Sequence, residues 1–169
     1  LVGSEMCIRD REEGSTVYVL LSGERRFRAL NYLQEKGDAT WNIVNCNVVT
    51  TPLTENEKKV LLYSANLQVR GGFSDEAIRR QAIAEFITCL QREPYNMSRE
   101  EALNATKSVS TVNPRTIERD ARIEEKLKGK LKTLLNDKFL TRSECETYLR
   151  FEADKQDEIA NRFEKLQAV

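Results

Sequence analysis

The residues of this chain best equipped for chemistry are arginines gathered at two turns. The first turn follows Thr16–Leu21 (TVYVLL), a short β-branched and apolar run that reads as a buried strand. Ser22-Gly23 breaks it, and Arg25, Arg26 and Arg28 follow at once. The start of a helix offers unpaired backbone amides and the positive end of its dipole to an anion. Glycine lets a ligand approach the backbone closely, and guanidinium forks match phosphate oxygens. The chemistry suggested is polyphosphate binding. The segment has neither the Walker GxxxxGK[ST] spacing nor a Rossmann glycine pattern. A solvated, arginine-rich helix face accounts for the same residues equally well.

The second turn is SVSTV followed by Asn113-Pro114-Arg115-Thr116-Ile117-Glu118-Arg119-Asp120-Ala121-Arg122. Asparagine then proline is a helix start. Arg115, Arg119 and Arg122 are spaced by four and by three, so they share one helix face. Ser110, Asn113 and Thr116 are short polar groups that reach phosphates or base edges. Ile117 and Ala121 fall on the opposite, inward side. An ordinary helix whose arginines pair with Glu118, Asp120 and Glu124 fits the pattern too. Downstream, Lys126, Lys128, Lys130 and Lys132 spread around a helix as solvated surface or as extra backbone contacts.

Composition narrows the alternatives. The 169 residues hold 27 Lys plus Arg against 27 Asp plus Glu, so no global basic field exists and any nucleic-acid contact must be local. Histidine is absent, which excludes Ser-His-Asp triads, Cys-His pairs and HExxH zinc sites. Cys7, Cys46, Cys89 and Cys145 are far apart without a CxxC pair and read as separate reduced thiols. No apolar run approaches the ~18 residues of a membrane span, and no signal-peptide pattern opens the chain. The expected location is the cytoplasm.

The elements that must position the two turns can be read in order. A helix over Glu24–Lys36 carries Phe27, Leu30 and Leu33 on one face and is closed by Gly37. Trp41–Val49 alternates as a strand. Thr54-x-x-Glu57 is a capping box, and the nearly all-apolar Val60–Ala65 predicts a buried helix. Gly71-Gly72 is the expected domain boundary. Beyond it, Ile78, Ala82, Phe86 and Leu90 recur every four residues, with Ile83 and Ile87 beside them. Ser98-x-x-Glu101 caps a short helix through Lys107, the Asn113 helix runs to about Leu127, and Gly129 interrupts. Thr141-x-x-Glu144 and Asp154 begin two more helices. Leu134, Leu135, Leu140, Tyr148, Leu149, Phe151, Ile159 and Phe163 are expected core. Leu1–Arg11 (LVGSEMCIRDR) looks like a translated sequencing-adaptor remnant and is set aside from the fold. The natural chain is expected to begin upstream.

Two boxes carry a family resemblance. Gly23-Glu24-Arg25-Arg26-Phe27-Arg28-Ala29 resembles the GERR(W/F/Y)RA box of ParB-like partition proteins, and Ser64-Ala65-Asn66-Leu67-Gln68-Val69-Arg70 resembles that family's ENxQR box. The order strand, GERR helix, strand, helix ending in NxQ is also similar, and Ser98–Ile123 falls where the family carries its helix-turn-helix. The resemblance runs from about Val17 to the end of the chain. It implies an α+β fold: a small ParB/sulfiredoxin-like α/β N-terminal domain over 12–72, incomplete, then an all-α domain over 73–169 with the helix-turn-helix at about 98–124.

The function implied is a CTP-dependent DNA clamp for plasmid or chromosome partition. Gly23, Glu24, Arg25 and Arg26 would hold phosphates with help from Arg28. Asn66 would contact nucleotide and Mg²⁺, and Arg70 would serve as the displaced basic residue of its box. Ser110, Asn113, Arg115, Thr116, Arg119 and Arg122 would face double-stranded DNA. Implied partners are a Walker-type partition ATPase and a second copy joined through a C-terminal dimerisation domain, at a nucleoid or plasmid. The departures are specific. Ala65 stands where the box has an acidic residue, Val69 where it has arginine, and the family's first nucleotide-gripping box has no counterpart here. A carboxylate is the usual Mg²⁺ ligand, so hydrolysis is at most weak. The alternatives are a ParB-like transcription regulator of a mobile element that binds DNA without nucleotide switching, and a nuclease or nucleotide hydrolase on the same scaffold. Ala65 and the missing histidines argue against the enzyme. The sulfiredoxin reactive cysteine and histidine are replaced by Glu24 and Arg25.

Overall fold

The computed structural model describes residues 6–11, 18–38, 40, 45–49, 51–68, 73 and 75–167. The chain forms two compact units, residues 1–65 and 66–169. Gly71-Gly72, where the sequence suggests a division, lie outside the described residues, as do Trp41–Val44 of the second expected strand.

The first unit holds strands β1 (Met6–Arg11), β2 (Tyr18–Ser22) and β3 (Cys46–Val49), helix α1 (Glu24–Glu35) and most of α2 (Glu55–Gln68). The sheet order is β2-β1-β3. β1 runs antiparallel to β2, with Ile8 opposite Leu20, and parallel to β3, with Ile8 opposite Val48. Sequence reading leaves Met6–Arg11 out of the fold; the structure puts it in the middle of the sheet. A backbone ladder needs only an extended segment with N–H and C=O groups to share, whatever side chains it carries.

Burial in this unit departs from the apolar pattern. No residue of α1 is fully buried, and Phe27 and Leu33 are exposed. In α2, Val60 is buried but Leu61 and Leu62 are exposed. A continuous apolar run covers every side of a helix, and only the side that meets a neighbour is covered. The Thr54 box forms as expected: the Thr54 N–H donates to Glu57 Oε2 at 2.8 Å, and the Glu57 N–H donates to Thr54 Oγ1 at 3.2 Å.

The second unit is helical. After the last turn of α2 come α3 (Glu76–Gln91), α4 (Arg99–Val109), α5 (Pro114–Lys126), α6 (Gly129–Asn136), α7 (Arg142–Tyr148) and α8 (Ala153–Gln167). Asp75 caps α3, and Ser98 and Thr141 close full capping boxes with Glu101 and Glu144. α3 packs against α4 and α5, and α6 packs against α8. The α3 stripe Ala82, Ile83, Phe86, Ile87 and Leu90 is buried, whereas Ile78, expected on the same stripe, is 57% exposed. It sits in the first turn of the helix, and its four-residue spacing outruns the buried face.

A second cluster joins Ile123, Leu127, Leu131, Leu134, Leu135, Leu140, Cys145 and Ala160, with Tyr148, Leu149, Ile159 and Phe163 packed on it. The expected tail core is therefore present except for Phe151. Phe151 is half-buried beneath the Arg150 guanidinium, 4.9 Å from its ring centre. The corner between α5 and α6 is held by the buried Gln156 of α8. Its Nε2 donates to the carbonyls of Lys126 (3.1 Å) and Phe151 (2.9 Å), and its Oε1 accepts from the Lys128 N–H (2.9 Å). Gly129, at φ +46°, turns the chain there, and a Cβ would lie 2.7 Å from Asp157 Oδ1. Among the described residues no helix is long and apolar enough to cross a membrane.

Candidate nucleic-acid interface

The helix pair α4–α5 is joined by the four residues Ser110–Asn113. α4 runs two residues past the expected Lys107, so the connection is tight even without glycine; three or four residues is the usual length for a helix-turn-helix. Three local bonds shape it. The Val112 N–H donates to Ser110 Oγ at 3.1 Å. The Arg115 N–H donates to Asn113 Oδ1 at 2.9 Å, which caps α5. The Thr111 N–H donates to the Leu67 carbonyl at 3.0 Å, tying the turn to the buried end of α2. Ser110 and Asn113 thus spend oxygens on the turn, and Asn113 keeps amide donors as what it offers outward. Thr116 is half-buried and Arg115 and Arg122 are exposed. Ile117 and Ala121 are buried on the side facing α3 and α4.

The charges of α5 decide what its outer face presents. Its four carboxylates are each answered by another helix. Glu118 accepts from Lys107 of α4, and Glu125 accepts from Arg99 of α4 at 2.6 Å. Asp120 is wholly buried, takes Arg79 Nε–H from α3 at 3.0 Å, and lies 3.5 Å from Arg142 of α7. Glu124 pairs with Arg80 of α3 at 3.4 Å and with Lys132 of α6. Arg80 also donates to Asn136 Oδ1 at 2.7 Å, and Arg142 pairs with Glu76 at the start of α3. The alternative in which α5 neutralises its own arginines is therefore not what the helix does. Arg115, Arg122 and Lys126 make no side-chain hydrogen bond or ion pair among the described residues; only Glu118 feels the first two at longer range.

Arg119 differs from its two neighbours. Its Nη2 donates to Glu146 of α7 at 2.6 Å and to Ser143 Oγ at 3.2 Å. It shares their helix face but bridges to α7. Of the downstream lysines, Lys130 donates to Asn161 Oδ1 and Lys128 to the Glu125 carbonyl, while Lys126 is simply exposed.

The titrating groups follow the same division. Burial pushes the Asp120 carboxyl above its ordinary value, against the pull of Arg79, Arg142 and Arg80. The Lys107 ammonium holds Glu118 below its ordinary value, with Arg122 and Arg115 adding to that pull. Burial pushes the Cys145 thiol up to about 11, which leaves it a packing group.

At the first arginine turn, Gly23 has φ +98° and precedes α1 directly. That left-handed conformation is one glycine reaches freely. The N-cap position of α1 makes no side-chain cap hydrogen bond, and the Phe27 N–H bonds the Gly23 carbonyl at 2.9 Å. Arg25 is exposed and Arg26 half-buried. Arg28 turns back to Glu24 at 2.8 Å, one helical turn away. Gly23, Glu24, Arg25, Arg26 and Arg28 are thus brought together by one turn. Asn66 is exposed near the end of α2 and belongs to the second unit; Arg70 lies outside the described residues. Among the described residues no three His, Cys, Asp or Glu side chains gather as a metal site. A helix start and guanidinium groups suit phosphates, but Mg²⁺ finds no carboxylate at Ala65.

Sequence reasoning did not find Arg79, Arg80, Arg142 and Glu146, which hold α5 in place. The one local signal was Arg79-Arg80 beside an apolar helix stripe.

No protein-family model matches the chain, and no curated protein matches it by sequence. Among solved structures it is similar to the C-terminally truncated chromosome-partitioning protein ParB from Caulobacter crescentus, complexed to the centromeric parS site. The TM-score is 0.59 at 14% identity, over 94% of this chain and 73% of that one. The chain therefore has a ParB-like fold.

Proposed function

From this fold we propose that the chain is a ParB-like DNA-binding protein of plasmid or chromosome partition, which seats the exposed face of α5 on double-stranded DNA. The observation that carries the reading is the charge balance of α5. Every carboxylate of that helix is answered by a neighbouring helix, while Arg115, Arg122 and Lys126 stay outward. A chain of zero net charge meets a polyanion most readily where local cations escape such pairing. The fold neighbour was crystallised on its parS site, which agrees in kind. Asn113 and Thr116 stand at the N-terminal end of α5, the end from which a recognition helix reads base edges.

The test is fluorescence anisotropy with two labelled duplexes, the neighbour's parS site and an unrelated sequence. Arg115→Ala and Arg122→Ala should each weaken binding to both and lower the slope of log K against log salt by about 0.9. An unaltered slope in both variants would rule out this face.

The first unit is proposed to respond to CTP. The start of α1 after Gly23, with the guanidinium groups of Arg25 and Arg26, is the part suited to its triphosphate. Arg25→Ala combined with Arg26→Ala should abolish CTP binding in titration calorimetry; unchanged affinity would dispose of that turn. A second reading, a ParB-like transcription regulator that binds DNA without nucleotide switching, is favoured by one residue, Ala65. Calorimetry on the wild-type chain with and without Mg²⁺ separates the two.

A further inference from the structure

The Arg119–Glu146 pair has features that a purely structural bridge does not need. Arg119 lies on the α5 face between Arg115 and Arg122, four residues after one and three before the other, so the three cations line one stripe. Arg115 and Arg122 are exposed, whereas Arg119 is turned onto Glu146. The bond is one-ended. One terminal nitrogen serves both Glu146 and Ser143, and the Nε–H is buried with no acceptor. A guanidinium that meets an anion through its full fork engages two donors in parallel. The pair is also wet, with side chains 34% and 35% exposed, so little desolvation holds it closed.

We propose that Glu146 occupies the place of a nucleic-acid phosphate: Arg119 rests on this carboxylate in the free chain and exchanges it for a backbone phosphate when duplex arrives. This rests on the α5 reading above and adds a specific consequence. Glu146 competes with DNA for one cation of the stripe and, once released, stands as a negative charge beside the backbone. Its net effect is to weaken binding and to subtract one counterion-releasing contact from weak, sequence-independent encounters.

The experiment measures duplex affinity from low to high salt for the wild-type chain, Glu146→Gln, Glu152→Gln and Arg119→Ala with Glu146→Gln. Glu152 is an exposed carboxylate close by in the sequence, and its variant makes the same change of net charge. Removing Glu146 should tighten binding about two- to fivefold at low salt, the worth of an exposed pair. The salt slope should steepen relative to Glu152→Gln, by at most about 0.9. The double variant should lose both gains. Melting curves of each variant report that the fold is kept. If Glu146→Gln behaves like Glu152→Gln while Arg115→Ala still weakens binding, the exchange is overturned and the α5 face stands. If the wild-type chain holds no duplex at any salt, both are overturned.

Discussion

The two units differ in how far their charge pairs reach. In the first, Arg28 answers Glu24 four residues earlier and Lys58 answers Glu55 three earlier, each within one helix. The second has such local pairs too, Lys155 and Arg162 with Glu158 on α8, but there Arg79 also crosses to Asp120, Arg80 to Glu124, Arg119 to Glu146 and Arg142 to Glu76, each on a different helix. Local pairs adjust the stability of a helix that already exists. Crossed pairs fix how one helix lies on another. The difference teaches where each unit keeps its precision: at the Gly23 turn in the first, and in the setting of α5 in the second.

The largest expected effect breaks that contrast directly. Asp120→Ala leaves Arg79 and Arg142 facing an empty buried site and should lower the unfolding free energy of the chain by about 3–5 kcal/mol, read from urea denaturation. Glu24→Ala, which removes an exposed pair within one helix, should change it by no more than about 0.5 kcal/mol. Comparable losses in the two variants would erase the distinction.

A finer test uses acid. Glu101 and Glu144 close capping boxes, and hydrogen bonds from Ser98 and Thr141 hold their carboxyls below the ordinary value of 4.5. Their folded pKa lies below the unfolded one, so the stability they add is complete above pH 4.5 and is lost as pH falls through the lowered values. Asp120 has the opposite sign. Its folded pKa is raised above 3.8, so the folded chain binds the proton more tightly and gives up stability as pH rises from 3.8 through the raised value. Carboxyl-carbon NMR should therefore place the Asp120 midpoint above 3.8 and those of Glu101 and Glu144 below 4.5. An Asp120 midpoint below 3.8 would remove burial as the dominant influence on it.

Legibility in the sequence followed the reach of each interaction. Thr54, Ser98 and Thr141 could be read as caps because the partner of each is three residues away. Asn113-Pro114 marked the start of α5 for the same reason. The strand, Gly23 and helix sequence could be read because only a left-handed residue joins β2 to α1 so abruptly. Leu61, Leu62 and Ile78 show the limit of periodicity. An apolar pattern says which sides of a helix could be covered, and the neighbours decide which are. The partner of Asp120 lies 41 residues back and that of Arg119 27 residues on, beyond any local rule. The face of α5 was therefore visible as three arginines, but not that one of them was already engaged.

Gln156 has a consequence for how finely the molecule can be divided. The helix that ends at Lys126 is terminated by an amide that arrives from thirty residues further along the chain. A fragment cut just past the helix pair would carry all six residues expected to meet DNA, yet it would lack the Gln156 bonds to Lys126 and Lys128 that hold the corner at Gly129. A piece that keeps Gln156 at this corner has to extend into α8, so the exposed face of α5 and this support belong to one stretch of sequence.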